Sequence, residues 1–185
     1  MDAGVSQPPF TIASAAPADA PAIAALYAHH VLHGTATFET VPPDATEIAS
    51  RMGKVAAAGW PWLVARDTAG TVLGYAYCTQ FRERAAYRFA SENSVYIRDD
   101  ARGRGIGTAL MAALLEAATA CGFRQMIAVI AGTEPASVAL HARFGFVTCG
   151  LLKAAGRKHG RWIDVVYMQK PLGDGDASPP AREPE

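Results

Sequence analysis

The sequence predicts one mixed α/β domain, with strands that meander first and a β-α-β unit in the middle. Three observations carry that expectation. The chain has 185 residues, enough to bury a substantial core without disulfides or metals. Strand-like runs and helical stripes follow in the order β-α-α-β-β-β-α-β-α-β-β. One run, QMIAVIA, is apolar without a break after its leading glutamine, as expected of a strand covered on both faces.

The elements follow in order. Phe10 to Ser14 reads as a first strand, and PADAPAIAALYAHHVLHG as a helix with Ile23, Leu26, Tyr27, His30 and Val31 on one face and Gly34 as its stop. TATFETVPP is a loop. A second helix starts at Asp44, with Glu47 completing a capping-box-like pair, and ends near Gly59. WLVARDTAGTVLGYAYCTQF is a hairpin turning at Asp67–Gly70, and SVYIR is a further strand. A helix then carries Ile106, Leu110, Leu114, Ala117 and Cys121 on one stripe until Gly122. After QMIAVIA, Pro135 opens a short helix through Phe144, and strands at Phe146–Leu152 and Trp162–Gln169 finish the domain. Residues 1–9 read as an N-terminal extension, 10–172 as the domain, and the Pro- and Gly-rich 173–185 as a disordered tail.

Composition excludes several function classes. Seventeen basic residues balance seventeen acidic ones, so no extended field draws the chain to nucleic acid or membrane. No signal peptide pattern opens the sequence, and no apolar run approaches the roughly 20 residues of a membrane span. A soluble, cytoplasmic protein is expected. Cys78, Cys121 and Cys149 lie far apart in apolar runs and read as buried free thiols. Of three histidines in the first helix, His29 and His33 share a face with no carboxylate near in sequence, so no metal site is expected.

The chemistry begins at RDDARGRGIGTAL. Gly103, Gly105 and Gly107 leave the backbone bare and permit positive φ, and the helix beginning there points unpaired N–H groups and its positive dipole end at the loop. Arg102 and Arg104 add permanently charged forks, and Ile106 and Thr108 complete the turn. Together these form a cradle for a phosphate or pyrophosphate. A P-loop would need a lysine that is absent, and the dinucleotide fingerprint fails at Thr108.

Arg102-Gly103-Arg104-Gly105-Ile106-Gly107 resembles the [Q/R]-x-x-G-x-[G/A] signature of the GNAT N-acetyltransferase superfamily. The likeness covers about Phe10 to Leu172. It narrows to the phosphinothricin and methionine sulfoximine acetyltransferase branch through TATFET, FRERAAYRFASENSVYI, PASVALHARFGF and LLKAAGRKHGRWIDVVYMQKPL. The resemblance implies a GNAT fold, with a mixed, mostly antiparallel central sheet flanked by helices. It implies acetyl-CoA as co-substrate, no metal, a small amino-acid-like amine as acceptor, and a homodimer.

The resemblance also assigns residues. Glu92 is the expected base; a carboxylate suffices for an α-amino group, whose reference pKa is about 7.7–8.0. His141 stands where many members carry a tyrosine and is expected to protonate the departing thiolate. Val95, Tyr96 and Ile97 lend backbone groups to the pantetheine arm, with Ser137 beside them. Arg82, Arg84 and Tyr87, closed by Phe38 and Glu39, are expected to hold the amino acid, since arginine forks suit carboxylates. Glu134 departs from the asparagine usual at its position; a carboxylate accepts but does not donate, so the contact is lost, reversed, or taken by Thr133. Two rivals remain at this stage: an acetyltransferase for a peptide N-terminus or polyamine, and a non-catalytic acyl-CoA-binding module.

Overall fold

The computed structural model describes residues 9–132 and 134–181. The strands β1 (Phe10–Ser14), β2 (Trp62–Asp67), β3 (Val72–Gln80), β4 (Ala90–Ile97), β5 (Gln125–Ala131), β6 (Val147–Lys158) and β7 (Arg161–Pro171) form a seven-stranded sheet ordered β1-β2-β3-β4-β5-β7-β6. Every neighbouring pair is antiparallel except β4 and β5.

Helices cover both faces. On one, α1 (Ala20–His33) and α2 (Ala45–Ala57) bury Ile23, Val31, Ile48 and Met52 against Val64 and Tyr75. On the other, α3 (Ile106–Ala120) lays Leu110, Met111 and Leu114 against Ala65, Ala76 and Met126. Each such leucine contributes about 1.5–3 kcal/mol by leaving water. The stripe of α3 is completed by Met111 and Ala118; Ala117 is only half-buried, and Cys121 lies past the helix end at Ala120 and is exposed. Asp44 caps α2 as expected, its carboxylate accepting from the Glu47 amide at 2.8 Å.

Three expectations need correcting. Cys121 and Cys149 are exposed; only Cys78 is buried. The final hairpin is longer than its hydrophobic pattern implied, because a register shift between Leu152 and Gly156 absorbs the alternation. Asp164 braces that irregularity, accepting from the Ala154 amide at 2.9 Å and from Lys153 at 2.8 Å, with Ala154 at φ 50°. Residues 173–181 are not a loose tail: Arg124 donates to the Gly175 carbonyl and to Ser178. The N-terminal extension to residue 8, Thr133 and residues 182–185 lie outside the described residues.

The feature that makes a site is the one parallel junction. β4 and β5 pair only from Ala90↔Gln125 to Glu92↔Ile127. Beyond that, β4 stays with β3 as far as Ile97↔Gly74, and β5 stays with β7 as far as Ala131↔Val165. The strands therefore part after Glu92 and leave two unpaired edges facing each other.

Candidate active site

A cleft of about 540 Å³ occupies the gap between β4 and β5. The Arg98 amide donates to the Leu73 carbonyl, which pairs residues 98, 96 and 94 with β3 by antiparallel alternation. The N–H and C=O groups of Asn93, Val95 and Ile97 then point into the gap. The Ile97 carbonyl is already taken, accepting from His30 Nε2 at 3.0 Å. Val95 remains as a bare edge, able to add an extended amide-bearing ligand as a strand.

At the wide end of the gap, the chain from Arg98 turns through a short 3-10 segment into the loop before α3. Gly103 and Gly105 have φ of 74° and 81°, values that carry a steric penalty for any residue with a Cβ. Gly105 is the N-cap of α3, and no side chain caps that end. The first amides of α3, at Ile106, Gly107 and Thr108, are thus left for an anion. Arg102 lines the cleft and is held at 2.6 Å by Asp99. Arg104 is exposed beside the loop and does not line the cleft. Asp99 also bonds His29 at 2.6 Å, so a carboxylate does reach that histidine, contrary to the reading from sequence spacing. Among the described residues, no three His, Cys, Asp or Glu side chains gather to hold a metal.

The α4 helix (Pro135–Arg143) closes the side opposite α1. Glu134 and Ser137 line the cleft. The Glu134 carboxylate is not idle: it accepts from Thr35 Oγ1 at 2.8 Å, tying α4 to the loop after α1 across the gap. His141 also lines the cleft and is buried. Its Nδ1 lies 2.7 Å from the Ser137 carbonyl, and its Nε2 lies 2.9 Å from Asn93 Nδ2. Burial pushes its pKa below the ordinary 6.5. A neutral ring with both nitrogens committed has no proton aimed at the cleft, so this geometry does not supply the proton donor expected at His141.

Glu92 sits at the closed end of the gap, on the face opposite Asn93 because side chains alternate along β4. It is within the strand, not before it, and is half-buried. Burial raises its pKa above the ordinary 4.5, and the Arg82 guanidinium partly opposes that rise. A carboxylate poised upward and reachable from the α1–α2 side is suited to accept a proton.

The residues expected around the acceptor are brought together less completely. Arg82 approaches Glu92 electrostatically, but its guanidinium lies 4.0 Å above the Phe81 ring and donates to the Phe81 carbonyl. Arg84 is exposed, and Tyr87 packs edge-on against Phe81. Glu39 is committed elsewhere: it accepts from Arg51 at 2.7 Å and from the Tyr27 hydroxyl at 3.0 Å. It is therefore a brace for the loop rather than a free partner for an ammonium. Phe38 is held by the final hairpin, where a Cβ on Gly156 would fall 2.0 Å from the ring. Lys158, buried in the same hairpin, donates to the Thr37 carbonyl at 2.8 Å.

Sequence reasoning missed Asn93 and Arg51, and placed His30 and Lys158 only on a buried helix face and in the final hairpin. His30 was legible as part of a buried stripe, and Asn93 as the neighbour of Glu92. Nothing local pointed to the partners of Lys158 or Arg51, which lie across the fold.

Comparison with known proteins completes the description. The Acetyltransferase (GNAT) domain family matches residues 12–167. The phosphinothricin N-acetyltransferase of Alcaligenes faecalis is 53% identical over 164 residues, 88% of this chain and 82% of that one. The L-methionine sulfoximine/L-methionine sulfone acetyltransferase of Pseudomonas paraeruginosa is 40% identical over 91% of this chain and 98% of its own. A Sinorhizobium meliloti GNAT superfamily phosphinothricin acetyltransferase, solved in complex with AcCoA, superposes with a TM-score of 0.92 and 49% identity over 94% of each chain. A Brucella melitensis ribosomal-protein-alanine N-acetyltransferase reaches 0.85 with 40% identity, over 88% of this chain and 99% of that one.

Proposed function

The chain belongs to the GNAT acetyltransferase family and is an acetyl-CoA-dependent N-acetyltransferase; on that premise we propose that its acceptor is the α-amino group of a small amino-acid analogue such as phosphinothricin, methionine sulfoximine or methionine sulfone. The observation that carries this reading is Glu92 at the last residue pair before β4 and β5 part, beside the cleft, a half-buried carboxylate whose pKa burial raises.

The residues fit the co-substrate. The uncapped α3 terminus with Arg102 suits the pyrophosphate, and the bare β4 edge at Val95 suits the amide-bearing arm. When bound, acetyl-CoA supplies an acyl thioester: the N–C bond forms, the C–S bond breaks, and the electron pair stays on sulfur. Glu92 takes a proton from the substrate ammonium, directly or through water, and so frees the nitrogen lone pair. Amides of β4 near Val95–Ile97 stabilise charge developing on the thioester oxygen. Arg82 and Arg84 meet the substrate carboxylate, with Tyr87 and Phe38 packing its side chain. Relatives named for phosphinothricin and methionine sulfoximine support this acceptor class.

The same reading includes a homodimer, cytoplasmic location and a detoxifying role. Val147, Leu151, Leu152 and Trp162 are large apolar residues exposed on the edge hairpin, which supports pairing with a second copy. No helix among the described residues is long and apolar enough to cross a membrane. The second reading is acetylation of a peptide N-terminus, favoured by the exposed 82–88 segment and by the Brucella relative. An acetyl-CoA-consumption screen separates them. Turnover with methionine sulfoximine, methionine sulfone or phosphinothricin is expected; turnover with an alanine-terminated peptide alone overturns the first reading.

A further inference from the structure

Asn93 is a buried polar residue of the cleft that the reaction above does not use. It lies on β4 opposite Cys78, immediately after the last residue paired with β5, and is 7% exposed. Its Nδ2 meets His141 Nε2 at 2.9 Å, while its Oδ1 is buried with no hydrogen-bond partner among the described residues. Such an orphan acceptor costs about 1–3 kcal/mol, so its orientation is set by something stronger.

That something is the ring. The Ser137 carbonyl can only accept, so His141 Nδ1, at 2.7 Å, carries the hydrogen. A neutral ring then has its lone pair on Nε2, which only a donor satisfies, and the Asn93 NH₂ is that donor. The imidazolium would need the reverse: Nε2–H facing Oδ1. The Phe146 ring, edge-on with its centroid 4.9 Å away, seals the ring further from water. The charged groups on surrounding elements are Glu92 on β4, Glu134 just before α4, Arg143 on α4, and Lys170 on β7; none bonds to the ring, whose pKa is lowered by burial against the opposing Ser137 carbonyl.

We propose that Asn93 is a positioning residue of the acyl-transfer site, holding His141 as a neutral Nδ1–H ring throughout turnover. This rests on the acetyl-transfer reading above. His141 is then a fixed wall of the cleft and not the acid for the leaving sulfur. Proton balance does not require it: an ammonium loses two protons on becoming an amide, one to Glu92 and the other to the departing thiolate.

The test is the ring itself, read by ¹⁵N NMR of histidine-labelled protein, with His141 assigned by its loss in His141→Gln. Wild type should show a protonated Nδ1 and bare Nε2 from pH 8 down to below the ordinary 6.5. Asn93→Asp places a carboxylate acceptor at Nε2, so the ring should become imidazolium at neutral pH. Its kcat should fall about tenfold or more, with the KM for acetyl-CoA changed less than about threefold, since mispositioning costs rate more than binding. Asn93→Ser keeps a small donor and should retain the wild-type tautomer, covering the case in which the aspartate variant does not fold. An Nε2–H ring or an imidazolium in wild type at pH 7 overturns the proposal, as does an unchanged ring in Asn93→Asp. Absence of turnover with every amine offered would count against the acceptor reading alone, because the ring spectrum does not depend on it.

Discussion

The cofactor side of the site and the acceptor side are built in opposite ways. On the first, one continuous run from Asn93 to Thr108 supplies a bare strand edge, a left-handed glycine and an uncapped helix end. On the second, as proposed, Phe38 and Glu39 are held by partners on other elements, whereas Arg82, Arg84 and Tyr87 lie on the exposed 82–88 segment, Arg82 and Tyr87 packed on the nearby Phe81. The first is made of backbone, so its binding chemistry is fixed by φ and by hydrogen-bond alternation. The second, as proposed, is made of side chains on loops, where a change of one packing partner should alter the acceptor and leave the cofactor in place.

Variants should split along that line. The largest effect is expected from Glu92→Gln, which removes the proton acceptor: kcat should fall about 10²- to 10⁴-fold, with acetyl-CoA binding by calorimetry unchanged. The same variant should not lose stability. Burial raises the Glu92 pKa in the fold, so the folded state holds its proton more tightly and stability falls as pH rises from the unfolded value through the folded one. Glu92→Gln should therefore melt at or above the wild-type temperature at pH 8, with the gap closing below about pH 4. A lower melting temperature at pH 8 would show that the carboxylate is satisfied in the fold.

Next in size, Gly105→Ala imposes a Cβ at φ 81°, a strain of about 1–2 kcal/mol at the cofactor loop. The KM for acetyl-CoA should rise roughly tenfold, and the KM for the acceptor should hold. Gly156→Ala acts on the other side, since its Cβ drives into Phe38. Several-fold weaker acceptor binding with unaltered acetyl-CoA kinetics is expected; equal effects on both substrates would erase the division. The smallest effect is at Glu134→Asn. The amide can still accept from Thr35 and adds a donor toward the cleft, so the KM for acetyl-CoA should fall about two- to threefold. An unchanged or higher value counts against that contact.

The same contrast explains what the sequence made legible. Asp44 before Glu47, the Asp67–Gly70 turn and the glycine run after β4 are local signals, and each appears in the structure at the expected residues. QMIAVIA read as a covered strand because both of its faces are packed. The hairpin of β6 and β7 was read short because KAAGRKHGR has no alternation; its pairing is restored beyond an irregularity anchored by Asp164. Glu39 was read as closing the acceptor pocket because its partner Arg51 lies twelve residues on, in α2, at a spacing that marks no contact in sequence. His141 looked like an acid because sequence shows a residue's type but not the Ser137 carbonyl and Asn93 amide that fix its proton.

The central claim is that Glu92 is the base and that it titrates within the acceptor side alone. The pH profile of kcat/KM for methionine sulfoximine at saturating acetyl-CoA tests it most directly. Wild type should show an acid limb above the ordinary carboxylate value of 4.5, and Arg82→Ala, which removes the one opposing charge, should move that limb upward. Glu92→Gln should abolish it. A limb that persists in Glu92→Gln, or that stays in place without Arg82, would contradict the account.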